Sequence, residues 1–270
     1  MLVLLGLVVA ALGALYIGQR RLIYFPTRTA PARLAEKAWA AFGDRATILD
    51  AFDAVVVAPP AGVPVQATAI LFHGNAALGI DRGYLAPAFA ARGIRLVLAE
   101  YPGYGARAGS PTEQALVQDA GALYTMVLGR YPATPVMLVG ESLGSGVAVQ
   151  VAAQSPTPAP ARLVLLTPFL SLAETAARAY PFLPARYLVK DRYDSAAALP
   201  RYSGPVAILV AEKDEVVGPD QGRALARLAR TRGETVYVEL GEAGHNSWTA
   251  LMTDVQWTAL LGIPPAPARF

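Results

Sequence analysis

A serine lies at the centre of the most informative stretch of the sequence, Gly140-Glu-Ser-Leu-Gly144. The apolar run Val136 to Val139 precedes it and predicts a strand buried on both faces, and small residues after it open a helical pattern. The flanking glycines allow a very tight strand-to-helix turn, because a Cβ there would collide with neighbouring backbone. Such a turn exposes a hydroxyl at the carboxyl end of a sheet. The pattern therefore predicts that Ser142 is a nucleophile.

A serine hydroxyl needs a base to remove its proton, and the sequence contains only two histidines, His73 and His245. Both are predicted in loops that leave the carboxyl ends of strands, so both could approach Ser142. Only His245, after the last predicted strand, fits the chain order nucleophile, acid, base that accompanies this type of turn. We therefore predict that His245 is the base and that His73 is structural.

The base needs an acid that fixes its tautomer and stabilises the imidazolium. The acid is expected just after the predicted strand Val206 to Val210, and Asp214 lies in the turn that follows this strand. We predict that Asp214 orients His245. The alternatives are other carboxylates nearby in the sequence: Glu212, Glu215, Asp194 and Asp220.

Acyl transfer at a serine creates an oxyanion, which two backbone N–H groups should meet. Leu143 is predicted to begin a helix, where the N–H has no acceptor within the helix. The second donor is expected in the loop after the predicted strand Gln66 to Phe72. Asn75 is the predicted donor in that loop, and Gly74 is the alternative.

Composition limits the remaining classes of function. A chain of 270 residues with 54% hydrophobic residues can bury a large core, and no linker or repeat divides it, so one domain is predicted. A net charge of +3 without a basic, aromatic-rich stripe argues against nucleic acid. The absence of cysteine excludes disulfides and thiolate chemistry. With only two histidines, a zinc site would need a mostly carboxylate ligand set. No cofactor or metal is expected.

Strand and helix patterns alternate along the chain, which predicts an α/β fold with a mostly parallel, doubly wound sheet of about eight strands. The predicted strands lie within Thr47–Ala58, Gln66–Phe72, Ile94–Ala99, Val136–Val139, Arg162–Leu166, Val206–Val210 and Thr235–Leu240. Helices are predicted over Asp81–Arg92 and after Ser110, which is taken as an N-cap.

One interval, Phe169 to Gly204, breaks the alternation, because it contains prolines and aromatic residues but no strand pattern. Its position after the strand that follows Ser142 predicts a short lid-like insertion, with ordinary packed helices as the alternative. It would supply an apolar wall for an acyl group. The predicted substrate-binding residues are Phe169, Leu170, Tyr180 and Phe182.

The amino terminus, Met1 to Gly18, carries no charge and is almost wholly apolar. Because a helix rises ~1.5 Å per residue and a bilayer core is ~30 Å thick, this stretch predicts a single-pass membrane anchor. A cleaved signal peptide is the alternative, although no Lys or Arg precedes the run. Basic residues from Arg20 onward predict a cytoplasmic flank. Membrane lipid is accordingly an expected partner.

Several motifs together resemble one family, the α/β-hydrolases, and within it the membrane-anchored serine hydrolases of the α/β-hydrolase-domain-containing group, which includes monoacylglycerol lipases and protein depalmitoylases. In chain order the matching pieces are Arg20-Arg-Leu-Ile-Tyr-Phe-Pro26, His73-Gly-Asn75, Tyr101-Pro-Gly-Tyr-Gly105, Gly140-Glu-Ser-Leu-Gly144, the Tyr180–Ser195 segment, Lys213-Asp-Glu-Val-Val217 and Gly244-His-Asn-Ser-Trp248. The resemblance implies an α/β-hydrolase fold and hydrolysis of an ester or thioester.

The sequence predicts a domain organisation and a function. The organisation is an anchor over 1–18, a leader over 19–46, a hydrolase domain over 47–262 with an insertion at 169–204, and a tail over 263–270. The expected function is hydrolysis of a carboxylic ester or thioester of an acyl lipid or an acylated partner, through an acyl-enzyme. The alternatives are a serine peptidase or amidase on the same scaffold, and a non-catalytic, membrane-tethered binding protein.

Overall fold

A sheet of eight strands organises the protein, whose computed structural model describes residues 1–154 and 157–266. The strands of the chain are β1 Phe25–Pro26, β2 Ala46–Leu49, β3 Ala54–Val57, β4 Ala67–Phe72, β5 Ala76–Ala77, β6 Ile94–Leu98, β7 Val136–Glu141, β8 Leu163–Leu166, β9 Val206–Ala211 and β10 Thr235–Leu240. The large sheet has the order β10-β9-β8-β7-β4-β6-β3-β2. It is parallel except that β3 runs antiparallel to both its neighbours. The predicted α/β fold with a mostly parallel sheet is confirmed.

Helices cover both faces of this sheet. They are α1 Leu2–Gly18, α2 Arg20–Ile23, α3 Pro31–Phe42, α4 Ala86–Ala90, α5 Glu113–Arg130, α6 Leu143–Ala153, α7 Leu172–Ala179, α8 Ala185–Leu188, α9 Ser195–Ala198, α10 Pro219–Arg230 and α11 Asp254–Leu261. Short 3₁₀ turns cover Gly43–Arg45, Asp50–Phe52, Gly79–Leu85, Leu199–Arg201 and Trp248–Leu251.

The core consists of two apolar layers, one on each side of the sheet. Along β4, Ile70 and Phe72 join the layer that contains α5, α6 and α10, whereas Ala69 and Leu71 join the layer that contains α3, α4 and α11. This alternation follows from the two-residue period of a strand. A strand that is buried on both faces needs apolar residues at every position, so it appears in the sequence as a continuous apolar run. These runs predicted the strands.

Two local predictions differ from the structure. The helix predicted over Asp81–Arg92 is a 3₁₀ turn, Gly79–Leu85, followed by the short helix α4, whose first turn contains Pro87. Proline lacks an N–H and fits the start of a helix better than its interior. The predicted cap Ser110 is replaced by Thr112, whose hydroxyl accepts a hydrogen bond of 3.0 Å from the N–H of Ala115.

The interval between β8 and β9 contains α7, α8 and α9, and no strand is assigned between residues 169 and 204. This segment packs over the carboxyl end of the sheet, where α7 and α8 contribute to a cavity described below. At the carboxyl terminus, residues 267–270 of the predicted tail lie outside the described residues.

The predicted membrane anchor is wrong. Helix α1 has 17 residues, which at ~1.5 Å per residue is shorter than a ~30 Å bilayer core. Within residues 1–154 and 157–266, no helix combines the length and the apolar character that crossing a bilayer requires. The expected cytoplasmic flank and the expected contact with membrane lipid rested on that anchor and lose their basis.

Candidate active site

Ser142 occupies a strained turn between β7 and α6. Its backbone has φ 52° and ψ −118°, which is unusual for a residue with a side chain. A Cβ on Gly140 would lie 2.3 Å from the carbonyl oxygen of Gly144, and a Cβ on Gly144 would lie 2.0 Å from that of Phe72. Both glycines are therefore required by close backbone approach, and the turn projects the Ser142 side chain beyond the sheet.

A continuous chain of hydrogen bonds links three side chains at this turn. The Ser142 Oγ lies 2.9 Å from Nε2 of His245, and Nδ1 of the same ring lies 2.7 Å from Oδ2 of Asp214. Nδ1–H donates to the carboxylate in this arrangement, which leaves Nε2 as the acceptor for the serine hydroxyl. The geometry therefore allows His245 to take the proton of Ser142 while Asp214 holds the ring.

Asp214 is held in the turn after β9. Its Oδ1 accepts hydrogen bonds from the N–H groups of Val216 (2.9 Å) and Val217 (2.8 Å). Burial by itself raises the pKa of this carboxyl, but the hydrogen bond and charge of His245 and the two N–H groups outweigh it, so the pKa is lowered. The carboxylate is thus ionised throughout the neutral range.

The other candidate acids serve different contacts. Glu215 accepts a hydrogen bond from the backbone N–H of His245 at 3.3 Å, which fixes the loop rather than the ring. Asp220 pairs with Arg178, and Asp194 caps α9. Glu212 is exposed.

His73 lies in a fully buried cluster, and its ring pairs with a partner other than Ser142. Its Nε2 lies 3.1 Å from Oε1 of Glu100. Its ring packs on Tyr101 at a centroid distance of 4.3 Å and edge-on against Tyr104 at 5.4 Å. Tyr101 also donates a 2.7 Å hydrogen bond to the backbone carbonyl of His73. The cluster therefore braces the loop that follows β4.

Leu143 begins α6, so its N–H has no acceptor within the helix and lies beside Ser142. The loop after β4 approaches from the other side, since a Cβ on Gly74 would lie 3.6 Å from the Cβ of Ser142. Two hydrogen bonds fix the position of Asn75. Its side chain donates to the carbonyl of Ile23 at 3.0 Å, and its backbone carbonyl accepts from the hydroxyl of Tyr104 at 2.7 Å.

A cavity of about 460 Å³ opens beside Ser142 and His245. Phe169 and Tyr180 line it, whereas Leu170 and Phe182 are not among its lining residues, and Phe182 is 97% exposed. The walls are mostly apolar: Leu143, Leu172, Ala176, Ala179, Leu183, Leu188, Val189, Val216 and Val217 contribute. The volume falls in the range of small-molecule sites. Within the described residues, no cluster of three His, Asp or Glu side chains could hold a metal.

Comparisons with known proteins identify the family of the chain. A family model described as "Serine aminopeptidase, S33" matches residues 63–195. An uncharacterized protein of Mycobacterium tuberculosis is 34% identical over 234 residues, which cover 84% of this chain and 80% of the relative. The chain belongs to the α/β-hydrolase superfamily.

Two further likenesses support this α/β-hydrolase assignment. The lysophosphatidylserine lipase ABHD12 of Danio rerio is 34% identical over 179 residues, covering 59% of this chain and 46% of that relative. Est1E of Butyrivibrio proteoclasticus, solved with bound ferulic acid, superposes with a TM-score of 0.64 at 16% identity, covering 78% of this chain and 95% of that one. The second likeness shows the fold. The chain is a hydrolase with esterase- and lipase-like relatives.

Two features of the site of this hydrolase were missed by sequence reasoning. The end of α1 together with α2 lines the cavity through Leu15, Tyr16, Gln19, Leu22 and Ile23. Arg82 also lines it and forms a 2.5 Å hydrogen bond with Glu141, the residue before Ser142. The contribution of α1 was missed because its apolar sequence also fits a membrane helix. The second joins residues 59 positions apart, and no local pattern signals such a pair.

Asp214→Asn is expected to lower kcat for an ester by about 10⁴-fold, because the amide favours the wrong tautomer of His245. The lowered pKa of Asp214 gives a second readout. A carboxylate with a depressed pKa adds stability above its unfolded-state pKa, about 3.9, and loses it as the pH falls through the folded value. The part of the difference in unfolding free energy between native and variant chains that comes from this carboxylate should therefore shrink as the pH falls from about 5 towards 2.

Glu215→Gln is the matched control, since Glu215 contacts the backbone of His245 and not its ring. It should retain most of the activity. If Glu215→Gln lost as much activity as Asp214→Asn, or if Asp214→Asn were fully active, the acid would have to be reassigned.

Proposed function

We propose that this hydrolase cleaves a carboxylic ester or thioester of an acyl lipid or an acylated partner through an acyl-enzyme on Ser142. One observation carries the proposal. The hydrogen-bonded chain from Ser142 through His245 to Asp214, with distances of 2.9 and 2.7 Å, opens onto an apolar cavity. A nucleophile with its base and an adjacent apolar recess are the parts that acyl-ester hydrolysis needs.

In the acylation half, Nε2 of His245 takes the proton of Ser142 as Oγ bonds to the substrate carbonyl carbon. The carbonyl oxygen becomes an oxyanion, which the N–H of Leu143 and an N–H of Gly74 or Asn75 stabilise. Asp214 stabilises the imidazolium. The ring then gives its proton to the leaving alcohol or thiol, and the carbon–oxygen or carbon–sulfur bond breaks.

Deacylation repeats the sequence with water. His245 takes a proton from the water as its oxygen attacks the acyl carbon, and the second oxyanion occupies the same N–H donors. The proton then passes from Nε2 back to the Oγ of Ser142. A free carboxylic acid leaves, and the side chains return to their starting protonation.

A peptidase or amidase remains the second candidate, because the matching family model is described as a serine aminopeptidase. An aminopeptidase binds the substrate's ammonium group, and a carboxylate with no other ionic partner is the strongest acceptor for it. Among the described residues that line the cavity, Glu141 is the one carboxylate, and it is paired with Arg82. Burial alone would lower the pKa of Arg82, but the neighbouring Glu141 outweighs it and raises this pKa, so Arg82 stays charged beside Glu141. This balance favours an uncharged acyl ester.

Labelling with a fluorophosphonate tests the nucleophile. The native chain should be labelled, and Ser142→Ala should not be labelled and should lose about 10⁴- to 10⁶-fold in ester kcat/KM. Ser203→Ala, at an exposed serine, is the matched control and should behave as the native chain. A panel of acyl esters, acyl thioesters and aminoacyl amides then identifies the bond.

Each result has a defined meaning. Equal labelling of the native chain and Ser142→Ala would overturn the proposal, because the reactive nucleophile would be another residue. No labelling of either would overturn it in favour of a non-catalytic binding protein. Turnover of aminoacyl amides above that of esters, abolished in Ser142→Ala, would favour the peptidase. Ester or thioester turnover that depends on Ser142 supports the proposed function.

A further inference from the structure

We propose that one face of the amino-terminal helices, residues 15–23, is the wall that determines which acyl-chain lengths the site accepts. The proposal deepens the proposed function and rests on it. Leu15, Tyr16, Gln19, Leu22 and Ile23 all line the cavity beside Ser142. Their spacing of one, four, seven and eight residues places them on one helical face. Gln19, between α1 and α2, has φ −56° and ψ −30°, so the helical path continues through it.

Gln19 fastens this helical face to the insertion. Its side chain is 7% exposed, donates to the carbonyl of Leu188 at 3.0 Å and accepts from the N–H of Lys190 at 2.7 Å. Both ends of a buried amide are thus satisfied by backbone groups about 170 residues away in the sequence. A satisfied buried polar group fixes one arrangement, because any shift leaves donors and acceptors unpaired.

Two neighbouring contacts hold the same junction. The guanidinium of Arg20 makes hydrogen bonds of 2.8 and 3.1 Å with the two carboxylate oxygens of Asp191, which is nearly buried. The hydroxyls of Tyr24 and Tyr193 lie 3.0 Å apart in the interior. A two-point Arg–carboxylate contact fixes orientation as well as distance. The helices are therefore a fixed wall of the cavity.

The other end of the wall reaches the loop beside the nucleophile. The Asn75 side chain donates to the carbonyl of Ile23 at 3.0 Å, and the N–H of Phe25 donates to the carbonyl of Asn75 at 2.9 Å. Ile23 is thus adjacent to the loop that approaches Ser142. Leu15 lies eight residues earlier, or about 12 Å along the helix at ~1.5 Å per residue.

The wall therefore runs away from the reacting centre, as an acyl chain would. The side chains of Leu15, Leu22 and Ile23 make this wall apolar. An apolar wall favours the methylene groups of an acyl chain over a charged or hydrogen-bonding group. A larger side chain at the distal position, Leu15, should shorten the accepted chain and leave short acyl groups unaffected. A smaller one should do the reverse.

The test compares Leu15→Trp with Ile17→Trp in the full chain. Leu15 is half-buried and lines the cavity, whereas Ile17 is 79% exposed and does not line it. The readout is kcat/KM for p-nitrophenyl esters with acyl chains from two to about sixteen carbons. Leu15→Trp should lower the long-to-short ratio at least about tenfold, the scale of steric discrimination in apolar pockets. Ile17→Trp should keep the native profile.

Leu15→Ala is the second variant, which protects the test if the tryptophan disturbs the helix, and it should raise the long-to-short ratio. Fluorophosphonate labelling of every variant separates this proposal from the one on which it rests. Absent labelling of the native chain would defeat the proposed function. Intact labelling and short-ester turnover, with identical chain-length profiles in all three variants and the native chain, would overturn the wall alone.

Discussion

His245→Ala should lower ester kcat/KM by about 10⁴- to 10⁶-fold, whereas His73→Ala should retain measurable activity in the folded fraction. The two histidines are the only ones in the chain, and both sit in loops after strands, so the comparison is direct. His245 contacts Ser142 at 2.9 Å through Nε2. His73 contacts Glu100 instead, at 3.1 Å, and is not among the residues that line the cavity.

The cost of His73→Ala should appear in stability. The substitution leaves a cavity between Tyr101 and Tyr104 and removes a partner of the buried Glu100, which together should destabilise the fold by about 2–5 kcal/mol. Glu100 keeps hydrogen bonds from the N–H groups of Gly79 and Tyr101, both at 3.1 Å, so the loss is partial. His245→Ala should unfold near the native midpoint.

Denaturant unfolding and ester kinetics on both variants check this pair of expectations. His73→Gln, which keeps an amide donor towards Glu100, is the second variant if His73→Ala does not fold. An equal loss of kcat/KM in folded His73→Gln and His245→Ala would contradict the assignment of His245 as the base for Ser142.

The sequence predicted the parallel core of the fold because its strands are buried on both faces. Val136–Val139 and Val206–Val210 are continuous apolar runs, and each lies inside an observed strand, β7 and β9. The tight turn at Ser142 could also be predicted, because backbone atoms approach positions 140 and 144 so closely that only glycine fits there. These signals are local, and a sequence displays local constraints directly.

Signals that depend on distant partners misled the sequence reasoning. Ser110 and Thr112 are both residue types that favour the N-cap of a helix. A cap at Ser110 would need the carboxylate of Glu113 to reach back to it, but this carboxylate accepts a hydrogen bond from the N–H of Arg192 at 2.6 Å. The apolar segment 1–18 has the composition of a membrane helix. In the structure, the residues that follow it are anchored by Leu188 and Asp191, about 170 positions away. No local pattern contains such contacts.

Gly144→Ala is expected to damage both stability and activity, because its Cβ would lie 2.0 Å from the carbonyl oxygen of Phe72 and 2.7 Å from that of His73. These are backbone atoms, so relief requires α6 to move away from β4. Forced overpacking of this kind costs about 1–3 kcal/mol or more in unfolding free energy. A shift of α6 also displaces Ser142 relative to His245, and a misplacement of ~1 Å can cost about 100-fold in rate.

Gly129→Ala is the matched control and should act in the opposite direction. Gly129 lies in the exposed last turn of α5, and a Cβ there meets nothing within 4 Å. Alanine should stabilise this helix by up to about 1 kcal/mol, because it restricts the unfolded chain, and should leave kcat/KM unchanged. Urea unfolding midpoints and ester kinetics of both variants supply the measurement. If Gly144→Ala were as stable and active as Gly129→Ala, α6 and β4 would have to be farther apart than the structure has them, and the strained turn would lose its role in presenting Ser142.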